Sequence, residues 1–346
     1  MNPVASGDPG PPENTSPPTF RKRASRRWRW LVLPVGLLGL FYCAVGYFGS
    51  GVMISNYPRW TGMNRGPQDF GLAGETVSFT STDGVPLKAW WLPAPTPARG
   101  TVIVAHGGDH NRQAMLPRTV FLVHGGYNVL IVDLRGHGES GGRFISPGLV
   151  ERRDLLGAIQ YVRSRGERGP IVLLGVCLGG VASLFTAAES REVAAVVSDS
   201  AFPSGVDVFR RFRDYFVHNP RMSRGRTGFV NGRSWWVRAT FATMYMPGIV
   251  PSFVIFYYLR TGVWLGFDAG SVLPAASRIS CPVLVVSGGA DWIVPPADAR
   301  KLFAAIPGDR KQFLTIPNAP HDGGYSTAPE LYHNAVLGFL DTSLRR

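Results

Sequence analysis

A cysteine flanked by two glycines lies where the chain changes from strand-like to helix-like sequence. Residues 175–179 read Gly-Val-Cys-Leu-Gly, with Cys177 at the centre. The apolar run 171–174 comes before this motif, and an Ala- and Leu-rich stretch follows it. A strand–turn–helix arrangement of this kind exposes a nucleophile above a sheet and aims it at a helix N-terminus. Backbone N–H groups at that end can stabilise a thiolate or an oxyanion. The alternative is a small buried cysteine in a glycine-rich turn.

A nucleophile of this kind needs a base, and the base needs a carboxylate that orients it. Asp291 follows a strand-like run that ends at Ser287, and His321 lies in the loop after a second such run, 312–316. Both positions are at the strand ends that converge on one edge of a parallel sheet. We therefore predict Cys177, His321 and Asp291 as nucleophile, base and orienting acid. Asp298 is a weaker candidate for the acid because it falls inside the next helical stretch.

The other polar residues near these positions have weaker claims. Two of the seven histidines, His106 and His137, belong to glycine turns, which favours structural roles. Apart from His321, the other four do not follow a strand after Asp291: they are His110, His124, His218 and His333. Asp322 is expected to cap the loop or to shape the local electric field, with a solvated surface charge as the alternative. The predicted oxyanion hole uses the N–H of Leu178 and that of Gly108, with Gly107 the next candidate.

Charge and cysteine usage limit the class of protein. The 346 residues carry a formal net charge of +13, and six basic residues lie between positions 21 and 29, directly before an apolar stretch. Basic residues beside apolar and aromatic segments favour contact with a membrane surface over nucleic-acid binding. The three cysteines, Cys43, Cys177 and Cys281, are far apart, so neither a disulfide framework nor zinc-ligand spacing is indicated.

The N-terminal region predicts a membrane anchor. Residues 1–29 form a Pro-, Gly- and Ser-rich basic tail that we expect to be disordered and cytoplasmic. Residues 30–54 carry no charge and are long enough to span a bilayer as a signal anchor, with 55–74 as a linker. A cleaved signal peptide is the main alternative. The basic residues before the span predict a cytoplasmic N-terminus and a catalytic domain on the outer face.

The rest of the chain alternates strand-like and helix-like segments. This rhythm over 75–202 and 276–346 predicts one α/β core with a mostly parallel sheet covered by helices on both faces. We predict strands at 76–80, 87–92, 101–105, 128–133, 171–174, 194–198, 283–287 and 312–316, and helices that include 147–163 and 295–305. Residues 203–275 interrupt the rhythm with arginines, aromatic residues and an uncharged run, 239–259. A membrane span there would split the sheet across the bilayer, so we predict a hydrophobic, basic cap.

Several segments resemble the α/β-hydrolase superfamily, and within it the membrane-anchored, prolyl-oligopeptidase-like and serine-aminopeptidase-like hydrolases. They occur in that family's order over about 75–340. The matching segments are Phe-Thr-Ser-Thr-Asp-Gly at 79–84, His-Gly-Gly at 106–108, Asp-Leu-Arg-Gly-His-Gly-Glu-Ser-Gly-Gly at 133–142, the motif at Cys177, Asp-Ser-Ala-Phe at 199–202 and Gly-Gly-Ala-Asp at 288–291.

The resemblance implies an α/β-hydrolase fold with the chain order Cys177, Asp291, His321 for the triad. Where the similar hydrolases have serine, this chain has cysteine, as do dienelactone hydrolase and the polyhydroxyalkanoate synthases. The predicted activity is cleavage of a carboxylic ester, lactone or thioester through an acyl-enzyme on Cys177, without a metal or organic cofactor. The apolar cap predicts a lipid-like or acyl substrate. The alternatives are a membrane-bound acyltransferase that uses the same cysteine, and a catalytically silent scaffold.

Overall fold

A computed structural model of the chain describes residues 10, 24–54, 63–95, 97–108, 110–218, 242–243, 245–266 and 270–344. Most of the predicted tail 1–29, part of the linker 55–74 and the middle of the cap 203–275 lie outside these residues. The chain divides into two compact units, Met1–Tyr42 and Cys43–Arg346, which are described separately.

The N-terminal apolar segment is a helix. Helix α1 runs over Ala24–Ile54 and contains Pro34. Its most apolar part, Val32–Gly51, has 20 residues with a mean hydropathy of 1.8, which is long enough to cross a hydrocarbon core. The predicted N-terminal apolar helix is therefore confirmed by length and composition. Among the described residues no other helix meets both requirements.

The core is an eight-stranded sheet with the order β1-β2-β4-β3-β5-β6-β7-β8. Strand β1 pairs antiparallel with β2, and β2 pairs antiparallel with β4, whereas every later pairing is parallel. The strands are β1 Glu75–Thr80, β2 Pro86–Leu92, β3 Thr101–Ala105, β4 Asn128–Val132, β5 Ile171–Val176, β6 Val193–Asp199, β7 Val283–Gly288 and β8 Lys311–Ile316. The predicted mostly parallel sheet is confirmed.

Helices cover both faces because the central strands are apolar on both sides. Successive residues of β3 alternate between the two core clusters: Ile103 packs with one and Val104 with the other. Residues of α3, α4 and α8 belong to the first cluster, and residues of α2 and α10 to the second. The helices after α1 are α2 Val120–His124, α3 Arg152–Ser164, α4 Leu178–Glu189, α5 Gly205–His218, α6 Ile249–Thr261, α7 Leu273–Ala276, α8 Pro296–Ala305, α9 Gly324–Thr327 and α10 Pro329–Ser343.

The helix predicted from residue 147 is wrong at its start, since α3 begins at Arg152. Gly148 has a φ of 92°, which is outside the helical region. The buried Glu151 side chain accepts hydrogen bonds from the N–H groups of Ser146 and Gly148, at 2.6 and 3.1 Å. These bonds fold 146–151 into a turn, so the segment cannot join the helix.

The last third of α1 packs against α6, and both belong to the larger unit. Gly46, Gly49 and Ser50 are buried, which places one face of the helix in contact. A Cβ added at Gly49 would lie 2.5 Å from the ring of Phe253, so the missing side chain allows close approach. Arg260 of α6 donates to the carbonyl of Tyr47 at 2.9 Å. The apolar run of the cap thus contains a 13-residue helix in contact with α1.

Candidate active site

Cys177 lies on a strained turn between β5 and α4. Its φ of 51° and ψ of −112° are rare for a residue with a side chain, and such strain concentrates at functional sites. A Cβ at Gly175 would lie 2.1 Å from the carbonyl oxygen of Gly179, and one at Gly179 would lie 2.4 Å from that of Ala105. Both glycines of the motif are therefore required by close backbone contacts. The turn lifts the cysteine to the carboxyl edge of the sheet.

The loop after β3 lies beside this turn. The His106 Nδ1–H donates to the carbonyl of Gly107 at 2.7 Å, while Nε2 accepts from the N–H of Leu134 at 3.1 Å. Burial lowers the pKa of His106 well below its usual value, which keeps the ring neutral in this structural role. A Cβ added at Gly107 would lie 3.5 Å from the Cβ of Cys177, so the loop approaches the cysteine closely. Gly108 and Leu178, the predicted oxyanion donors, both line the cavity around Cys177.

The predicted acid and base also meet at this edge. Asp291 follows β7, and its Oδ1 accepts from the N–H groups of Ile293 and Val294 at 2.9 and 2.8 Å. Its Oδ2 accepts from Nδ1 of His321 at 2.8 Å. The side chain of Asp291 is fully buried and that of His321 is 12% exposed. Two backbone bonds therefore fix the carboxylate, and the carboxylate fixes the imidazole.

The other nitrogen of His321 faces the cysteine. The thiol Sγ of Cys177, a ring nitrogen of His321 and a carboxylate oxygen of Asp322 lie within 4.8 Å of one another. Burial by itself lowers the pKa of His321, but the charges of Asp322 and Cys177 and the hydrogen bond to Asp291 outweigh it and raise the pKa well above its usual value. The site thus favours an imidazolium. Among the described residues, Cys177, His321 and Asp322 are also the one group able to share a metal ion.

Asp298, the weaker candidate for the acid, lies elsewhere. It is in the first turn of α8, where it is ion-paired with Arg211 and with Lys301. Arg211 also donates to the carbonyl of Ile293 at 2.9 Å. This arginine therefore attaches α5 to the segment that carries Asp291. The arginines of the predicted cap therefore differ in burial: the Arg211 side chain is 27% exposed, whereas that of Arg210 is 56% exposed.

Arg118 was not identified from the sequence, and its side chain binds the loop that carries His321. Its Nη2 donates to the carbonyl of Asp322 at 2.7 Å, and its Nη1 pairs with Asp199 at 3.2 Å. The side chain of Asp322 is 16% exposed, and its Oδ1 lies 3.4 Å from Nε2 of His321. Of the two interpretations of Asp322, the solvated surface charge is therefore wrong. Arg118 comes from a 3₁₀ helix, Arg112–Arg118, whose sequence carries no catalytic motif.

A cavity of about 310 Å³ opens beside Cys177. Its wall is aromatic where α5 meets the loop after Asp291, since the rings of Tyr215 and Trp292 stack at 4.3 Å. On another side, Tyr257 of α6 donates to the carbonyl of Ile145 at 3.0 Å and so joins the cap to the core. The lining also includes Phe202, Val208, Phe209, Phe212, Leu265, Ile293 and Pro320. The space accommodates an apolar group next to the thiol.

Comparison with known proteins identifies the family. A sequence profile described as the Alpha/beta hydrolase family matches residues 102–335. The uncharacterized protein YfhR of Salmonella typhi is 28% identical over 288 residues, covering 78% of this chain and 82% of that protein. The uncharacterized protein YqkD of Bacillus subtilis is 26% identical over 264 residues, covering 75% and 77%.

Solved structures agree on the fold. The esterase Pf2001 of Pyrococcus furiosus superposes with a TM-score of 0.66 at 24% identity, over 84% of this chain and 99% of that one. A thermophilic esterase of Thermogutta terrifontis gives a TM-score of 0.53 at 22% identity, over 78% and 100%. With the profile covering more than half of its residues, the chain belongs to the α/β-hydrolase family.

Proposed function

We propose that the protein is a membrane-associated esterase with a cysteine nucleophile, in which Cys177 forms an acyl-enzyme. The observation that carries the proposal is the chain of contacts from Cys177 through His321 to Asp291, at the strained turn and beside an apolar cavity. Nucleophile, base and orienting carboxylate in this order are the arrangement of a catalytic triad. The family sets the reaction class, and the cysteine makes the intermediate a thioester.

Acylation begins when Nε2 of His321 takes the thiol proton of Cys177. The thiolate attacks the carbonyl carbon of the ester, and the N–H groups of Leu178 and Gly108 stabilise the oxyanion. Leu178 is the first residue of α4, so its N–H has no acceptor within the helix. Asp291 holds the imidazolium in place through Nδ1. When the carbon–oxygen bond breaks, the imidazolium protonates the leaving alkoxide, and a thioester remains on Cys177.

Deacylation uses the same groups in reverse. His321 takes a proton from water, and the hydroxide formed attacks the thioester carbonyl. The carbon–sulfur bond then breaks, the thiolate recovers a proton from the imidazolium, and the carboxylic acid leaves. No electron transfer and no further reactant are needed.

The walls of the cavity favour an apolar acyl group. Its size and its aromatic side chains, such as Tyr215, Trp292 and Tyr257, suit an acyl chain better than a charged substrate. Tyr257 belongs to α6, which also carries the exposed apolar residues Ile255, Tyr258 and Leu259. An exposed apolar and aromatic surface, in a chain that also has a helix long enough to span a bilayer, suits the membrane interface. We infer that a lipid-like ester enters the cavity from the bilayer surface.

The proposed topology is a single span with a cytoplasmic N-terminus and the hydrolase domain on the outer face. It is supported by the length of Val32–Gly51 and by the basic residues that precede it. The proposed partners are a small or lipid-like substrate and the membrane, through residues 30–54 and the cap. A fusion reporter that places residue 346 in the cytoplasm would overturn this orientation while leaving the proposed chemistry untouched.

The proposed chemistry is tested with p-nitrophenyl esters of increasing acyl length and the full chain in detergent. The wild type and Cys281→Ala should release p-nitrophenol, with kcat/KM rising with acyl length, and intact mass should show an acyl adduct on the wild type. Cys177→Ala should lose both signals. An adduct that survives in Cys177→Ala, or turnover that is unchanged, would refute the thiol mechanism.

The same assay separates the alternatives. If an added alcohol or amine collects the acyl group in place of water, the protein is an acyltransferase. If no ester yields an adduct on a folded chain, the silent scaffold is correct.

A further inference from the structure

Three side chains of metal-binding type meet in the wall of the cavity. The candidate ligand atoms of Cys177, His321 and Asp322 lie within 4.8 Å of one another. Nδ1 of His321 is bound to Asp291, so Nε2 is the nitrogen that faces the other two side chains. Asp322 Oδ1 lies 3.4 Å from that nitrogen. Thiolate sulfur, imidazole nitrogen and carboxylate oxygen are the three ligand types that bind zinc in proteins.

Asp322 is the unusual member of this group. Its Oδ1 is buried and has no hydrogen-bond partner among the described residues, although a buried carboxylate oxygen normally accepts at least one. Asp322 has a φ of 59°, and Arg118 donates to its backbone carbonyl rather than to its carboxylate. The other oxygen, Oδ2, would lie 3.1 Å from a Cβ placed on Gly107. The carboxylate is therefore directed into the site, where its ion-pair partner is the imidazole of His321.

We propose that Cys177, His321 and Asp322 bind one zinc-class divalent cation that reversibly blocks the hydrolase site. Zinc lies about 2.3 Å from thiolate sulfur and about 2.0–2.2 Å from imidazole nitrogen and carboxylate oxygen. Tetrahedral angles then place N and O ligand atoms about 3.3–3.6 Å apart. The observed 3.4 Å between His321 Nε2 and Asp322 Oδ1 matches this spacing. The fourth position faces the cavity.

Asp291 supports the proposed site by accepting a hydrogen bond from the ring nitrogen of His321 that does not face the cation. A histidine that binds zinc commonly donates its second N–H to a carboxylate, which orients the ring and raises its basicity. The Asp291–His321 bond of 2.8 Å already provides this. Binding of the cation releases the thiol proton of Cys177, and any proton on Nε2, to solvent. The sulfur and the imidazole are then both occupied, so neither can act as nucleophile or base.

Metal binding goes beyond the proposed hydrolysis and can be measured without it. The test uses the full chain in detergent, freed of metal with a chelator and titrated with Co²⁺. One equivalent should give the thiolate-to-cobalt charge-transfer band and the strong visible bands of tetrahedral coordination, and Zn²⁺ should abolish both. Cys281→Ala is the matched thiol control and should give the same spectrum and affinity.

The ligand variants decide the proposal. Cys177→Ser should lose the charge-transfer band, and Asp322→Asn, which keeps the shape and tolerates the positive φ, should weaken Co²⁺ binding by more than about tenfold. Near-ultraviolet circular dichroism confirms that each variant is folded. Absence of the band in the wild type, or its persistence in Cys177→Ser, overturns the site. Equal affinity in Asp322→Asn also overturns it.

The regulatory consequence has a separate readout. Zn²⁺ should inhibit ester hydrolysis with the same affinity that the spectra report, and a chelator should restore the rate. If the spectra show tight metal binding but Zn²⁺ leaves ester hydrolysis at its full rate, the proposed inhibition is wrong. A chain that binds Co²⁺ as expected but hydrolyses no ester would refute the proposed function and leave the metal site standing.

Discussion

Asp322 and Asp291 lie next to different nitrogens of the same imidazole. Oδ2 of Asp291 is 2.8 Å from Nδ1 of His321, whereas Oδ1 of Asp322 is 3.4 Å from Nε2. The first carboxylate orients the ring, and the second adds a negative charge beside the atom that exchanges protons. Burial opposes a charged ring, yet the pKa of His321 is raised well above its usual value, with Asp322 the largest of the raising causes.

This arrangement predicts the pH dependence of acylation. The imidazolium must protonate the leaving alkoxide, so the rate falls when pH rises through the pKa of His321. Because that pKa is raised, the alkaline limb of kcat/KM should lie well above pH 6.5. Asp322→Asn removes the raising charge and should move the limb to lower pH. Acid release from an ethyl ester, followed in a pH-stat across a pH series, measures the limb in wild type and variant, because ethoxide needs a proton to leave whereas p-nitrophenolate does not. An alkaline limb at the same pH in Asp322→Asn contradicts this account.

The two half-buried cysteines should differ sharply in reactivity. Burial raises the pKa of Cys281 to about 11, which leaves little thiolate at pH 7. Cys177 instead faces an imidazole that favours the protonated state. Iodoacetamide at pH 7 should therefore alkylate Cys177 at least about 10²-fold faster than Cys281. Peptide mass spectrometry over a time course measures the ratio. Comparable rates would show that His321 does not activate the thiol.

The fold and the main contacts of the site could be predicted because each triad residue follows a strand with a recognisable local pattern, and parallel strands bring their carboxyl ends to one edge of the sheet. Short apolar runs such as 101–105 are typical of the buried strands of a parallel sheet. Gly175 and Gly179 are recognisable because the turn leaves no room for a side chain at either position. Arg118 could not be predicted, because its partners are 81 and 204 residues away and an arginine in a polar segment has no distinctive pattern.

The proposed metal site could not be predicted for a similar reason. Zinc motifs are recognisable in a sequence by short, regular ligand spacing, whereas Cys177 and Asp322 are far apart in the sequence and meet only in the folded chain. The start of α3 was misplaced because Glu151 forms buried hydrogen bonds to Ser146 that depend on tertiary packing. Helical periodicity alone carries no sign of such bonds.

Glu151 should make the stability of the fold depend on pH. Burial raises its pKa to about 7 from 4.5, even though the hydrogen bonds from Ser146 lower it. A carboxyl whose pKa rises on folding stabilises the fold below its unfolded pKa, and the contribution is lost as pH rises through the folded pKa. Glu151→Gln cannot titrate, so wild type should lose about 1–3 kcal/mol relative to it between pH 5 and pH 8. Urea unfolding at both pH values measures the difference, and parallel behaviour would contradict the assignment.

The contact between α1 and α6 predicts that two glycines of α1, Gly49 and Gly39, respond differently to the same substitution. A Cβ at Gly49 would lie 2.5 Å from the Phe253 ring, and one at Gly46 would lie 2.0 Å from Oγ of Ser252. A Cβ at Gly39, on the same helix, meets no described atom within 4 Å. Gly49→Val should therefore destabilise the chain by about 1–3 kcal/mol more than Gly39→Val, because only Gly49→Val overpacks a contact while both variants share the same change in helix propensity.

Thermal unfolding in detergent, followed by near-ultraviolet circular dichroism, measures this difference. Phe253→Ala opens space opposite Gly49, so the double variant should be less destabilised than the sum of the two single variants. Since Tyr257 of α6 also lines the cavity, Gly49→Val should lower kcat/KM for long acyl esters more than for p-nitrophenyl acetate. Equal stabilities of the two valine variants would show that Gly49 does not pack against Phe253 of α6 in the detergent-solubilised protein.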